Sequence, residues 1–151
     1  MDKTGKLLLP KFYKYLGFVS EGMVAFQADS LAGFMTPLGQ ALIKPAFHFA
    51  KEFKGGLAPV MDAKGLWGYT DKTGKVVIPF QFNGAEPFEG QLARVTQKQS
   101  ASQSLWGLVD RKGTIQAPIT YKSLFAANDQ GIRVASTLEY NEILLNAQGS
   151  P

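Results

Sequence analysis

The stretch LWGYTDKTGKVVIP, Leu66 to Pro79, is followed in the same chain by LWGLVDRKGTIQAP, Leu105 to Pro118. Both copies keep Trp-Gly, Asp-x-x-Gly and a closing proline while the residues between them change. Leu66–Thr70 is short, aromatic-rich and bounded by turn residues, so it reads as a strand. Lys75–Ile78 is rich in β-branched residues and reads as a second. Between them, Asp71 suits the first turn position, where its side chain accepts backbone N–H groups ahead of it. Gly74 suits the last position, where a left-handed residue makes a G1 bulge. The phrase is a hairpin with a mechanism. Pro79, which cannot donate to a ladder, is expected to end its second strand.

Internal repeats decide a fold before any other signal does. The turn box occurs as Asp2–Gly5, Thr36–Gly39, Asp71–Gly74, Asp110–Gly113 and Asn146–Gly149, with its glycines 34, 35, 39 and 36 residues apart. In the second box Pro37 takes the second position, where its fixed φ suits a type I turn. After the box come Pro10, Pro45, Pro79 and Pro118, then Tyr13, His48, Phe82 and Tyr121 three residues on. Phe18, Phe53, Phe88 and Phe125 follow, and then Gly22, Gly56, Gly90 and Gly131. Each of these glycines opens a short apolar run that reads as a third strand: Met23–Phe26, Leu57–Val60, Leu92–Val95 and Ile132–Ala135. The aromatics before it fall on a loop expected to fold back onto the sheet. Trp-Gly is intact at Trp67-Gly68 and Trp106-Gly107, degraded at Ala32-Gly33, and decayed at Glu142-Ile143-Leu144. The repeats cover approximately 1–30, 31–64, 65–103 and 104–138, with a partial copy at 139–151, in one domain.

These motifs resemble the WG-repeat family, tryptophan-glycine β-repeats found mainly in bacterial proteins. The Trp67 copy carries the likeness most fully, with WGYxDKTGKVVIP, FxxAxxF and EGxLARV in succession. The resemblance implies a repetitive β-scaffold and brings no shared activity or catalytic residue. The expected fold is all-β: about four tandem repeats of ~35 residues, each of about three short antiparallel strands, stacked as an open array. Trp67 and Trp106 are expected to fill the space between neighbouring units. Gly68 and Gly107 are expected to leave room for a backbone or ring that comes close. The alternative is a small closed propeller-like ring in which Lys6–Leu9 pairs with Tyr140–Leu145 and removes the sheet edges. Three strands per unit are fewer than the usual four of a blade, which favours the open array.

Composition fits such a domain. With 151 residues the chain can bury roughly two thirds of its unfolded surface. Charged residues are 19% and aromatics 12%, a balance that argues against disorder. The net charge of +4 is spread along the chain and reads as a solvated surface. Lys11-Phe12-Tyr13-Lys14-Tyr15 interleaves aromatics with cations, but one cluster makes no strong case for nucleic acid. The absence of cysteine excludes disulfides and thiolate chemistry. No apolar stretch is long enough for a membrane helix, so no membrane insertion is expected. The start, MDKTGKLLLP, is not a signal peptide and falls inside a repeat, which fits a segment excised from a longer protein and leaves the compartment unassigned.

Sites for chemistry are few. His48 is the only histidine and stands where other repeats carry aromatics, so a catalytic role is the minor reading. One histidine without cysteine makes no zinc site, and no dense oxygen-ligand loop suggests calcium. Asp71 and Asp110 read as turn formers, and Glu21 and Glu89 each precede a turn glycine, again a structural placement. Lys54-Gly55-Gly56 lacks the spacing of a phosphate loop. No cofactor is implied. Candidate binding residues are Tyr13, Tyr15, Tyr121 and His48. The polar insertion Gln97–Ser104 reads as a connection or a contact loop. The expected function is a non-enzymatic β-repeat scaffold binding a protein or another cell-envelope component. The alternative is a glycan-binding module that stacks sugars on Tyr15 and Tyr121.

Overall fold

The computed structural model describes residues 13–151. The box Asp2–Gly5, Pro10 and the strand expected over Lys6–Leu9 lie outside the described residues, and the ring closure that depended on that strand lies there too. The described chain contains strands and turns and no helix. It divides into two compact units, Met1–Phe80 and Gln81–Pro151. In the first unit β1 (Tyr15–Ser20), β2 (Met23–Ala28), β3 (Leu31–Met35) and β4 (Ala41–Phe47) make one sheet in that order. A second sheet has the order β5 (Phe49–Ala50), β6 (Leu57–Met61), β7 (Trp67–Asp71), β8 (Val76–Phe82). In the second unit β9 (Gly84–Ala85), β10 (Leu92–Lys98), β11 (Ser104–Asp110) and β12 (Ile115–Tyr121) make a third. The fourth has three strands, β13 (Ser123–Leu124), β14 (Arg133–Ser136) and β15 (Glu142–Leu145). Among the described residues the pairing is antiparallel and no sheet closes into a barrel, so the fold is an all-β tandem array of open sheets.

Two expectations need correction. Three of the sheets have four strands, not three. The extra strands β5 and β9, with β13 in the fourth sheet, lie in the stretch expected to be a loop. Each is two residues long and pairs through Ala50↔Val60, Ala85↔Val95 and Leu124↔Ala135. A period of two cannot show itself in two residues. Nor does proline end the second strand: β4, β8 and β12 run on through Pro45, Pro79 and Pro118. Each is the outermost strand of its sheet, where a residue without N–H leaves no ladder bond unmade. Sequence repeat and sheet are also out of phase, because the repeat that opens at Trp67 gives β7 and β8 to one sheet and β9 and β10 to the next.

The apolar runs are nearly continuous because their strands are covered on both faces. In β2, Met23 and Ala25 face one cluster while Val24, Phe26 and Ala28 face another, with Tyr13 against the second. The first cluster joins the two sheets of the first unit, bringing Phe34, Ile43 and Phe47 against Ala50, Phe53 and Val60. Phe34 and Phe53 meet edge to face with ring centroids 4.6 Å apart. Burying each such ring stabilises the seam by roughly 2–3 kcal/mol. In the second unit Leu92, Leu108 and Tyr121 of the third sheet pack with Leu124, Ala135 and Leu145 of the fourth.

The tryptophans do less of this than expected. Both are half-buried. Trp106 flanks the third-and-fourth-sheet cluster, with the Arg94 guanidinium 5.7 Å from its ring. Trp67 lies edge to face against Phe49 of its own sheet, at 6.0 Å, and Lys51 sits over it at 4.9 Å. The seam within the first unit is filled by Phe34 and Phe53.

Candidate functional site

The recurring phrase is resolved by its glycine. A Cβ added at Gly68 would stand 2.4 Å from the Ile78 carbonyl oxygen and 2.9 Å from the Pro79 carbonyl carbon. At Gly33 it would stand 2.4 Å from the Ile43 carbonyl oxygen and 2.9 Å from Pro45 N. At Gly107 it would stand 2.8 Å from the Ala117 carbonyl oxygen. The register shows why. From Ala32 to Phe34 the partner on β4 jumps from Phe47 to Ile43, and from Trp106 to Leu108 it jumps from Tyr121 to Ala117. The outer strand is bulged at its proline and arches over the glycine. Trp-Gly and the distant proline are two halves of one device.

The turn box acts as its residues suggest. Gly74 N donates to the Asp71 carbonyl at 3.1 Å, and the Asp71 carboxylate accepts from Thr73 N at 2.9 Å and Lys75 N at 3.1 Å. The Thr73 hydroxyl, at 2.6 Å, is the main reason the Asp71 carboxyl lies below its usual range. Burial pushes Asp110 up, but the N–H groups of Thr114 and Lys112 and the Gln116 amide outweigh it and hold it low. Gly74, Gly113 and Gly149 have φ of 90, 84 and 86°, the left-handed region a bulge requires. The same box also builds turns that the spacing did not reveal, at Asp62–Gly65, Asn128–Gly131 and Thr137–Tyr140. Gln97–Ser104 forms the ordered end of a long hairpin, with Lys98 paired to Ser104 and an exposed tip.

Glu21 and Glu89 reach beyond their own sheets. The Glu21 carboxylate accepts from Gly55 N at 2.6 Å and Gly56 N at 2.8 Å, with Lys72 3.5 Å away. The Gly56 N–H is the largest influence holding it below the ordinary carboxylate range. The Lys54-Gly55-Gly56 turn is thus an anion cradle whose occupant is this chain's own glutamate. Glu89 pairs with Arg94 at 2.9 Å and accepts from Ala127 N at 2.7 Å, tying the third sheet to the fourth.

Of the candidate tyrosines, Tyr15 alone presents an exposed ring. It lies 5.3 Å from Phe49, which continues to Trp67, making a row of three rings across the two sheets of the first unit. Tyr13 is tucked edge to face against Phe26 at 5.6 Å. Tyr121 is buried in the core and offers no platform. His48 is exposed, and its backbone N–H donates to the Met61 carbonyl at 2.8 Å. Phe47, not His48, holds the place of Phe82 and Tyr121, because Pro45 stands one residue later in its strand than Pro79 and Pro118, so that Lys44 takes the place of Pro79. Phe18 and Phe125, expected to fold inward, are exposed. Phe49 and Lys51 were not legible as partners of Trp67, since the two-residue strand that carries Phe49 was not.

A cleft of about 420 Å³ opens in the second unit, lined by Glu89, Leu92, Asp110, Arg133, Ala147 and Gln148 among others. Arg133 is 1% exposed. It donates to the carbonyls of Gly131 and Glu89, both at 3.3 Å, and its Nε has no partner. Burial disfavours its charge, Glu89 supports it and Arg94 opposes it. The register places Arg133 where the other sheets have Val24, Ala58 and Ala93. A cation at a core position of an otherwise apolar run was the sequence signal for it.

Sheets assembled from one repeated hairpin phrase define a β-repeat protein. The chain belongs to the WG containing repeat family, whose model matches residues 1–31, 33–63 and 67–99. Among solved structures it is similar to the computationally designed Ika4 protein, with a TM-score of 0.57, 14% identity, and coverage of 93% of this chain and 97% of that one. At that identity the likeness speaks for the fold alone. No curated protein matches the chain.

Proposed function

We propose that the chain is a non-enzymatic β-repeat scaffold that binds a protein or another cell-envelope component. The observation that supports this is the row Tyr15–Phe49–Trp67 with Lys51 at its end. Half-exposed aromatics on a fixed frame are residue types enriched at protein interfaces. A photo-crosslinking residue placed at Tyr15, the open end of the row and 36% exposed, tests it. The expected result is a discrete adduct with a partner in the source cell, lost in Phe49→Ala and retained when Ile115 is changed instead. An adduct indifferent to the row, or none, removes this reading. Robust turnover in a hydrolase and transferase screen, abolished by one substitution, removes the non-enzymatic part. The glycan reading keeps Tyr15 as its only exposed candidate, and an array signal lost in Tyr15→Ala would displace the protein partner.

A further inference from the structure

The fourth sheet leaves open a face that the first and third sheets bury. Phe34, Leu108 and Leu144 occupy one position of the frame, each two residues before its turn box. Phe34 stands opposite Ala25, Leu108 opposite Arg94 and Leu144 opposite Val134. Phe34 is fully buried and packs with Phe53 and Val60 of the second sheet. Leu108 is fully buried and packs with Leu124 and Ala135 of the fourth. Leu144 is 62% exposed. Side chains alternate along a strand, so Leu124, Ala135 and Leu145 take the covered side of the fourth sheet, and Phe125, Val134 and Leu144 the other. Phe125 is 57% exposed and Val134 half-buried, so the three make an open apolar row across the sheet. A sheet face left to water needs polar side chains, and this one has them only at one end, at Ser123, Ser136 and Glu142. The turn box after β15 folds to the covered side, where a Cβ added at Gly149 would stand 3.3 Å from Leu108 and 3.5 Å from Leu92.

We propose that this row is a dimer interface, occupied by the same row of a second copy of the chain. The seams within each unit show what fits such a face, namely the apolar side of another sheet of the same frame. The outer face of the first sheet cannot supply it, because Val24, Phe26, Ala28 and Met35 are already buried, with Tyr13 against Phe26. The row itself is open, so pairing is like with like about a two-fold axis and closes at two copies. Among the strand residues of this face only Glu142 is charged, so two copies set no like charges against each other at the apolar row. Three short strands make a face smaller than a standard interface, so the dissociation constant should be on the order of 0.1 mM.

Sedimentation velocity and amide NMR of the 151-residue protein, from about 10 µM to about 1 mM, test this. The expected result is a monomer–dimer equilibrium with one set of resonances and concentration-dependent shifts at Phe125, Val134 and Leu144. Leu144→Lys should weaken dimerisation by about tenfold or more and leave the melting temperature of the dilute protein unchanged, since the side chain is exposed. Phe125→Glu should do the same, and keeps the test open if Leu144→Lys disturbs β15. Leu38→Lys, at a position 98% exposed in the first unit, should change nothing. A protein that stays monomeric at the highest concentration gives the row to a different partner and overturns the proposal. So does a monomer in which Lys6–Leu9 of the same chain shows Overhauser contacts to Leu144. A dimer untouched by both substitutions, shifts gathered at the first sheet, or assemblies that grow beyond two copies overturn it as well. None of these outcomes bears on the aromatic row, whose residues lie in the other unit.

Discussion

The sheet β5–β8 and the sheet β13–β15 are copies of one frame, the first with four strands and the second with three, and they differ at a position that explains the missing strand. Val60 faces Gly68 in the first, and Ala135 faces Ile143 in the second. Three residues further on, Asp71 and Asn146 open the same box with the same four backbone bonds. Over Gly68 the outer strand arches with its carbonyl where a side chain would be. At Ile143 a β-branched side chain stands in that space, and β15 is the last strand of its sheet among the described residues. The comparison separates two requirements that the intact phrase presents together. The box belongs to the hairpin and persists wherever the hairpin does. The glycine belongs to the arching outer strand and can be lost where none arches.

The largest effect should come from closing that space. Gly68→Ala puts Cβ against backbone that cannot swing aside, and we expect about 3 kcal/mol of destabilisation in a urea melt. Gly107→Ala should behave alike. A Gly68→Ala protein that melts like the parent would break the comparison. Next is Glu89→Ala, which strands Arg94, Arg133 and the Ala127 N–H together, for an expected loss of about 2–3 kcal/mol. A loss no larger than that of an exposed glutamate such as Glu139 would show the tether to be ornamental.

Fold class and repeat were legible because they rest on local chemistry that recurs. Asp71 and Gly74 dictate a turn whatever surrounds them, and the apolar run before Trp67 is long enough to show a strand. The short strand Phe49–Ala50 was not legible, because two residues carry no period. Pro79 misled for a better reason. The rule that proline lacks a ladder donor is correct, but an outermost strand tolerates the missing donor on its free side, and edge position is a tertiary fact. His48 was aligned with Tyr121 because the count started at the proline, and Pro45 stands one residue later after its box glycine than Pro79 and Pro118 do; counted from the glycine, Phe47 holds that place. The aromatic row needed Phe49 on its strand before it could be seen. Arg133 was in plain view within Ile132–Ala135, read as apolar on the strength of its neighbours.

Smaller still is the pH response of the Glu21 cradle. Its folded carboxyl lies below its ordinary value near 4.5, so its contribution is complete above that value and is lost as pH falls through the lowered one. The stability difference between the parent and Glu21→Gln should be about 1–2 kcal/mol at neutral pH. It should shrink toward zero on acidification, and a difference that stays constant down to roughly pH 2.5 would dissociate Gly55 and Gly56 from the carboxylate's charge.

The smallest effect sharpens the comparison most. Ile143→Gly removes a partly buried β-branched residue from a strand and should cost about 1 kcal/mol. It also restores to β15 the gap over which β8 arches in the intact sheet. A synthetic peptide with the sequence of Val76–Phe82 should therefore slow amide exchange along β15 in Ile143→Gly and leave the parent unchanged. Protection in both proteins would mean that the side chain at this position does not decide whether an arched strand can be added. Protection in neither would mean that the arch needs more than the missing Cβ, with the half-buried tryptophan next to the glycine as the first residue to restore, by Glu142→Trp.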